Sequence, residues 1–490
     1  MTRGCRPGRY STAQRVTRCQ QPLPRMRSDN DQQSGFAPRL VGPAGGWYCY
    51  VYGPSPHDFV RALSDRLLIL WLALLGASRV DLLAGGGAFV LTPFLVLSPV
   101  LIGVELWRLA GDGSSFRLPD RAASFVLAIL ALLSLLLAST FLSYDLVTSS
   151  QRFALLLVQV AFVLLVGLAL ASRPDPGAIL LKGFVAGLGV AVAFSVLQLA
   201  VWFLPTLWPV VFQRVVDLEP GSYAGIVPRL TGASHDANLG AIQLVVYLAV
   251  ILVLSAPSRV RTVLVSVGAG AVVLTLSRSG VLAGLTLWVA MVLMRRRVRL
   301  TPVGVGTVGA ATAVILTLLL LAPGTLDPLV APVDAVGQRL TVGERSASEH
   351  AALLARGWEV GTESVKHALL GVGYGNAYIM VQDIFPGNEY GNFHSLFVTL
   401  FAEAGAIAAL SAVAIFGVAF FRGGSYAPLI AALFVFNLFQ QAHTEPALWL
   451  SLMLAWMGIG VWEQAPDAFG EVEPLQFREE RDLRSSGVRS

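Results

Sequence analysis

The chain has 490 residues, 55% of them hydrophobic and only 13% charged. A soluble domain carries about 25% charged residues, so this composition excludes an ordinary soluble enzyme. Apolar runs of about 20 residues recur, each long enough to cross roughly 30 Å of hydrocarbon, and they mark a polytopic membrane protein. The net charge of +5 does not imply nucleic acid, because the basic residues sit mostly in short loops, where they orient a membrane chain.

Residues 1 to about 60 are rich in Arg, Gln, Ser, Pro and Gly. They lack an apolar run and are not a cleavable signal; they read as a disordered, basic cytoplasmic tail. Met26 is an alternative start. Cys5, Cys19 and Cys49 all precede the first apolar segment, so no disulfide framework staples the later loops, and their spacing matches no zinc pattern.

The membrane domain is expected over 61–463, as an all-α bundle. Apolar segments fall near 67–83, 88–107, 122–142, 153–172, 178–204, 239–256, 260–276, 280–294, 303–322, 394–421, 427–441 and 446–463, about twelve by span length. A cytoplasmic tail follows over 464–490. Arg295, Arg296, Arg297 and Arg299 fix the loop after the eighth segment inside. Alternating from there, Arg108, Arg117 and Arg121, then Arg173 and Lys182, then Arg259 and Arg261, and Arg422 all fall on that same side. Both termini are thereby cytoplasmic.

Three connections face outward: 205–238, the tight turn after Ser277, and the long loop 323–393. A loop of that length is functional or disordered; helical patterning in 348–364, with Leu353, Leu354 and Trp358, argues for order and short helices. Basic residues on this side run against the topological bias. They are Arg79, Arg152, Arg214, Arg229, Arg278, Arg339, Arg345, Arg356 and Lys366.

Arg278 is the sharpest of them, in Leu276-Ser-Arg-Ser-Gly280 between two helices. An ionisable group at membrane depth faces the protein interior or a wet cavity, and the guanidinium fork suits phosphate oxygens. The competing reading is a side chain snorkelling to headgroups. Arg229 opens Arg229-Leu-Thr-Gly232-Ala-Ser-His-Asp-Ala-Asn238, where Asn238 reads as a helix cap. His235 and Asp236 alone are a weak metal signal, and no metal or cofactor is expected. Arg339 and Arg345 either fold over the site or are solvated.

Gly371-Val-Gly-Tyr-Gly375 lacks the preceding strand of a dinucleotide fingerprint. Its glycines Gly373 and Gly375 serve either close backbone approach beneath a substrate or an anion nest. Asn388, Glu389 and Asn392 then lead to His394, at the mouth of the tenth segment. A His of ordinary pKa takes a proton near neutral pH; the alternative is a structural hydrogen bond. Glu403 lies nine residues on and, at 100° per residue, points to nearly the opposite face, about 13 Å along the axis. It reads as an interior polar contact, with Gly405 allowing close packing.

In order and topology these motifs resemble the O-antigen ligase and O-antigen polymerase family. The matching pieces are Arg229-Leu-Thr-Gly232 with Asn238, Ser277-Arg278-Ser-Gly280, Arg345 before Trp358, the glycine loop, and His394-Ser-Leu396 with Glu403-Ala-Gly405. The resemblance covers roughly residues 60 to 463. It departs at Ser395, where the family often has Asn; here Asn392 precedes the His instead.

The resemblance implies a metal-independent, inverting membrane glycosyltransferase. The donor would be a glycan on a polyprenyl diphosphate, transferred at the outer face of the cytoplasmic membrane to a hydroxyl of a glycan or lipid acceptor. It implies that Arg229, Arg278 and Arg345 hold the diphosphate and that His394 is the base. Arg339, Gly373, Gly375 and Asn392 complete the expected substrate contacts. Membrane lipids, and no nucleic acid, are the other partners. The alternative is a transporter or lipid flippase for polysaccharide precursors, which needs charged or broken helices near the midplane.

Overall fold

The computed structural model describes residues 18–19, 40–41, 49–50, 56–78, 80, 82, 91–112, 120–203, 221–223, 227–294, 345–384 and 391–460. The expected ninth segment (303–322), the Arg295–Arg299 cluster, Arg339 and both outer portions of the tails lie outside them. Helices dominate. They are α1 (Pro56–Ala73), α2 (Pro93–Asp112), α3 (Asp120–Phe141), α4 (Leu146–Ala171), α5 (Pro176–Phe203), α6 (Ala237–Leu254), α7 (Arg259–Leu274) and α8 (Arg278–Met294). Then come α9 (Arg345–Thr362), α10 (Val365–Leu370), α11 (Ala377–Met380), α12 (Leu396–Arg422), α13 (Ala427–Phe439) and α14 (Pro446–Met457). Strands are two or three residues long: β1 (Arg18–Cys19), β2 (Leu40–Val41) and β3 (Cys49–Tyr50) pair antiparallel, as do β4 (Gly221–Tyr223) and β5 (Val227–Arg229).

Among the described residues six helices, α2 to α6 and α12, are long and apolar enough to cross a membrane. The helix α1 starts ahead of the expected first segment, and Asp58, Arg61, Asp65 and Arg66 make its first half polar. The segments α13 and α14 have 13 and 12 residues, too short alone for the roughly 20 a span needs. The polar stretch between them, Gln440–Glu445, is largely buried; irregular backbone at membrane depth is tolerated where protein surrounds it.

The loops sort into two ends. At one end Ser78 bonds His235, Ser277 bonds Asn238, Asn376 bonds Ser143, Tyr378 bonds Asp145 and His394 approaches Gln440. At the other, Arg108 bonds Ser172, Arg422 bonds Ser124, and Arg173 pairs with Glu105 and Asp65. Arg173 has 1% of its side chain exposed, and a buried charge so placed needs such partners. These two sets are the two sides that charge alternation separates.

The helix α6 is buried around nearly its whole circumference, as an apolar helix without a polar face must be. It packs on α5, α7 and α8. A Cβ at Gly280 would overlap that of Ala241, so glycine there lets α8 meet α6. The helix α12 is broken at Gly405 (φ 85°, ψ 173°). The break leaves the Ala402 and Glu403 carbonyls without helical donors, and Val372 N and Gly373 N supply them at 2.9 Å each.

Candidate active site

The starts of α6, α8 and α12 and the α13–α14 connection converge at one end of the bundle. Asp236 caps α6, its carboxylate accepting from Asn238 N (2.8 Å) and Leu239 N (3.1 Å). The expectation that Asn238 is the cap is thus corrected: a carboxylate two residues earlier reaches the orphan amides first. The Asn238 side chain instead accepts from Ser277 Oγ at 2.8 Å. Ser277 Oγ also accepts from Gly280 N at 3.1 Å, so it ties the start of α8 to the start of α6. Arg278, half-buried, is the first residue of α8.

Ahead of them, Thr231 is gripped by Gln198 of α5. Gln198 Nε2 donates to Thr231 Oγ1 (2.7 Å), and Thr231 N donates to Gln198 Oε1 (3.0 Å). This fixes Arg229, half-buried at the end of β5. His235 and Ser78 bond each other through Nδ1 and Oγ at 3.0 Å, a tie between two loops.

His394 takes a left-handed backbone, φ 53°. Asn392 Oδ1 accepts its N–H at 2.8 Å, and Ser395 caps α12. Leu276, two residues before Arg278, has the same φ of 53°. Among the described residues these are the two non-glycine positions with positive φ. Such strain persists where the surroundings over-determine it, and it clusters at functional sites. Turned off the helix, the half-buried His394 ring lies with Nδ1 3.4 Å from Gln440 Oε1. Its face stacks on His350 of α9, with centroids 4.0 Å apart and planes at 18°.

Burial pushes the His394 imidazole below its ordinary pKa, against the Gln440 hydrogen bond and the negative charge of Asp236, which both raise it. Desolvation disfavours the imidazolium. The neutral ring at pH 7 has a free lone pair, the state a base needs. With Nδ1–H donating to Gln440, that lone pair is on Nε2. Below, Gln243 Nε2 donates to Glu445 at 2.8 Å. Burial first, and the Asp236 charge with it, raise the Glu445 carboxyl to about 7 despite that bond.

The glycine loop is built for α12. A Cβ on Gly371 would overlap the Glu403 carbonyl carbon, and one on Gly405 the Leu369 carbonyl. The amides of Gly375 and Ala377 bond the Glu403 carboxylate, the latter at 2.8 Å, and Gly373 N donates to Glu403 O. Gly373 makes a close backbone approach, to Ser143, while Gly375 faces the Arg152 side chain; the group that the loop amides hold is the protein's own Glu403 carboxyl. The helix is regular from Leu396 to Glu403, so Glu403 stays away from His394. Asn392 serves the His394 backbone. Arg345 begins α9; Arg339 lies outside the described residues.

Pattern reading missed Gln440, His350, Glu445 and the part played by Asp236. One signal was present: Gln440-Gln-Ala-His-Thr-Glu445 puts polar residues between two apolar segments.

No curated protein matches the chain. Residues 263–413 match the family model described as O-antigen ligase (Wzy_C), a stretch that runs from within α7 to within α12 and contains Arg278, His350, the glycine loop, His394 and Glu403. Residues 263–413 are therefore similar to an O-antigen ligase domain, and together with the six long apolar helices the match supports a membrane glycan-processing role in surface polysaccharide biosynthesis.

Proposed function

We propose that the protein transfers a glycan from a polyprenyl diphosphate to an acceptor hydroxyl at the outer face of the cytoplasmic membrane, inverting the anomeric centre and using no metal. His394 Nε2 takes the proton of the acceptor hydroxyl as its oxygen attacks the anomeric carbon. The bond from that carbon to the diphosphate oxygen breaks, and the diphosphate leaves with the electron pair. Arg278 and Arg229, with Arg345 and Arg339 from the long loop, meet the charge that develops on the leaving group. Fixed donors stabilise that charge more in the transition state than in the ground state, which lowers the barrier. Gly373 and Gly375 shape the wall behind the site, and Asn392 sets the His394 backbone.

One observation carries this reading. A half-buried imidazole on strained backbone shares one end of the bundle with Asp236, and that carboxylate caps the helix bonded through Asn238 to the turn bearing Arg278. Asp236 then stabilises the imidazolium once the proton has arrived.

The test is transfer by the purified chain in liposomes containing a polyprenyl-diphosphate glycan and an acceptor. Extended or transferred glycan together with free polyprenyl diphosphate is expected. Full transfer by a correctly inserted His394→Ala variant overturns the assignment. In cells lacking the protein, unextended single repeat units on the carrier mark a polymerase, and full-length chains a ligase.

A further inference from the structure

Resting on the reading of His394 as the base, we propose that His350 is a positioning residue that sets the plane of the His394 ring by face-to-face stacking. On α9, His350, Leu353, Gly357, Val360 and Gly361 fall at helical spacing on one face. That face is packed. Leu353 and Val360 are buried in an apolar cluster with Phe393 and Ala402. A Cβ on Gly357 would overlap Phe393 and Val398, and one on Gly361 would overlap Phe401. Arg356 Nε donates to Met380 O at 3.2 Å. The helix is thus pinned across the entry to α12 by the residues that follow His350, and its imidazole is laid on His394 at 4.0 Å.

The stack supplies what the other contacts lack. Asn392 holds the backbone N–H of His394, and Gln440 meets Nδ1 in the plane of the ring. Neither limits tilt about the Nδ1–Gln440 line. A flat ring against the face does, without competing for the in-plane Nε2.

The experiment compares wild type with His350→Phe, His350→Leu and His350→Ala as the full chain in liposomes, using a polyprenyl-diphosphate glycan donor. Misplacing a reacting group by 1 Å costs about 10²-fold, so Ala and Leu are expected to lower kcat by about 10- to 100-fold, with the donor KM within about threefold, while Phe stays within about threefold of wild type. In parallel, the rate at which diethyl pyrocarbonate modifies His394 is followed by mass spectrometry. It is expected to rise in Ala and to return to the wild-type rate in Phe. Leu as active as Phe, or Ala with unchanged kcat and unchanged labelling, overturns the proposal. If the wild type transfers nothing, the proposed function fails, and the labelling rates still decide whether the stack holds His394.

Discussion

Two carboxylates at the same end of the bundle have opposite fates. Glu403 is enclosed: the amides of Gly375 and Ala377 bond its carboxylate, and its own carbonyl takes Gly373 N and Ser139 Oγ. Asp236 caps a helix and still reaches out electrostatically to His394 and Glu445. The first is a clasp that closes the break in α12 onto the glycine loop. The second belongs to a cluster of strained and half-buried groups. Both lie among family-like motifs, so a motif residue near a site is not thereby a reacting residue. Both accept backbone amides; what separates them is enclosure, Glu403 being buried and Asp236 only half-buried beside the imidazole.

Substitutions break or sharpen that contrast. His394→Ala should lower kcat by about 10²–10⁴-fold, the usual contribution of a positioned base, with thermal unfolding in detergent unchanged. Arg278→Ala should cost about 2.7–4 kcal/mol of transition-state stabilisation, read from kcat/KM, as when one donor to a developing anion is lost. Arg278→Lys restores charge without the fork and should recover part of the loss.

On the clasp side, Gly405→Ala forces a side chain into positive φ, at a cost of about 1–3 kcal/mol, and against the Leu369 carbonyl. Its signature is a lower unfolding temperature, with kcat per folded molecule near wild type. A large kcat loss at unchanged stability would mean that the clasp belongs to the site after all.

The smallest effect is expected from Asp236→Asn, which keeps a good cap and removes only the charge. Asp236 raises the His394 pKa, while burial lowers it below the ordinary value. The base is active when neutral, so in wild type the rate falls as pH drops through a value beneath 6.5. Without Asp236 the imidazolium loses support, the pKa falls further, and the acidic limb moves to lower pH. The pH-independent rate should drop as well, because a weaker base takes the proton less readily. A limb that moves upward would show that Asp236 does not face the imidazole.

Much of this was legible before any coordinates. Charge alternation sorted the loops into two sides, because the sign of short-loop charge follows topology. Arg278 and His394 stood out because a cation on the outer side and a His at a helix mouth go against local expectation. Asn238 was misread because capping depends on which side chain reaches the first amides, a matter of a residue or two. His350 was not legible, since it sits 44 residues before His394 and meets it only through packing; Gln440, 46 residues after, shows in the sequence only as part of a polar break between two apolar segments.

Sequence by itself determined that this chain carries segments apolar enough to enter a membrane and which of their ends are polar; that an arginine turn and a histidine serve one site is the proposal built on them. Those properties follow from transfer free energies and local patterning, which each segment carries alone. Tertiary structure decided that the glycine loop closes on Glu403 and that Asp236, Gln440 and His350 surround the imidazole. Those outcomes depend on which distant segments compete for the same buried amides and the same ring face, and only the packed bundle resolves that competition.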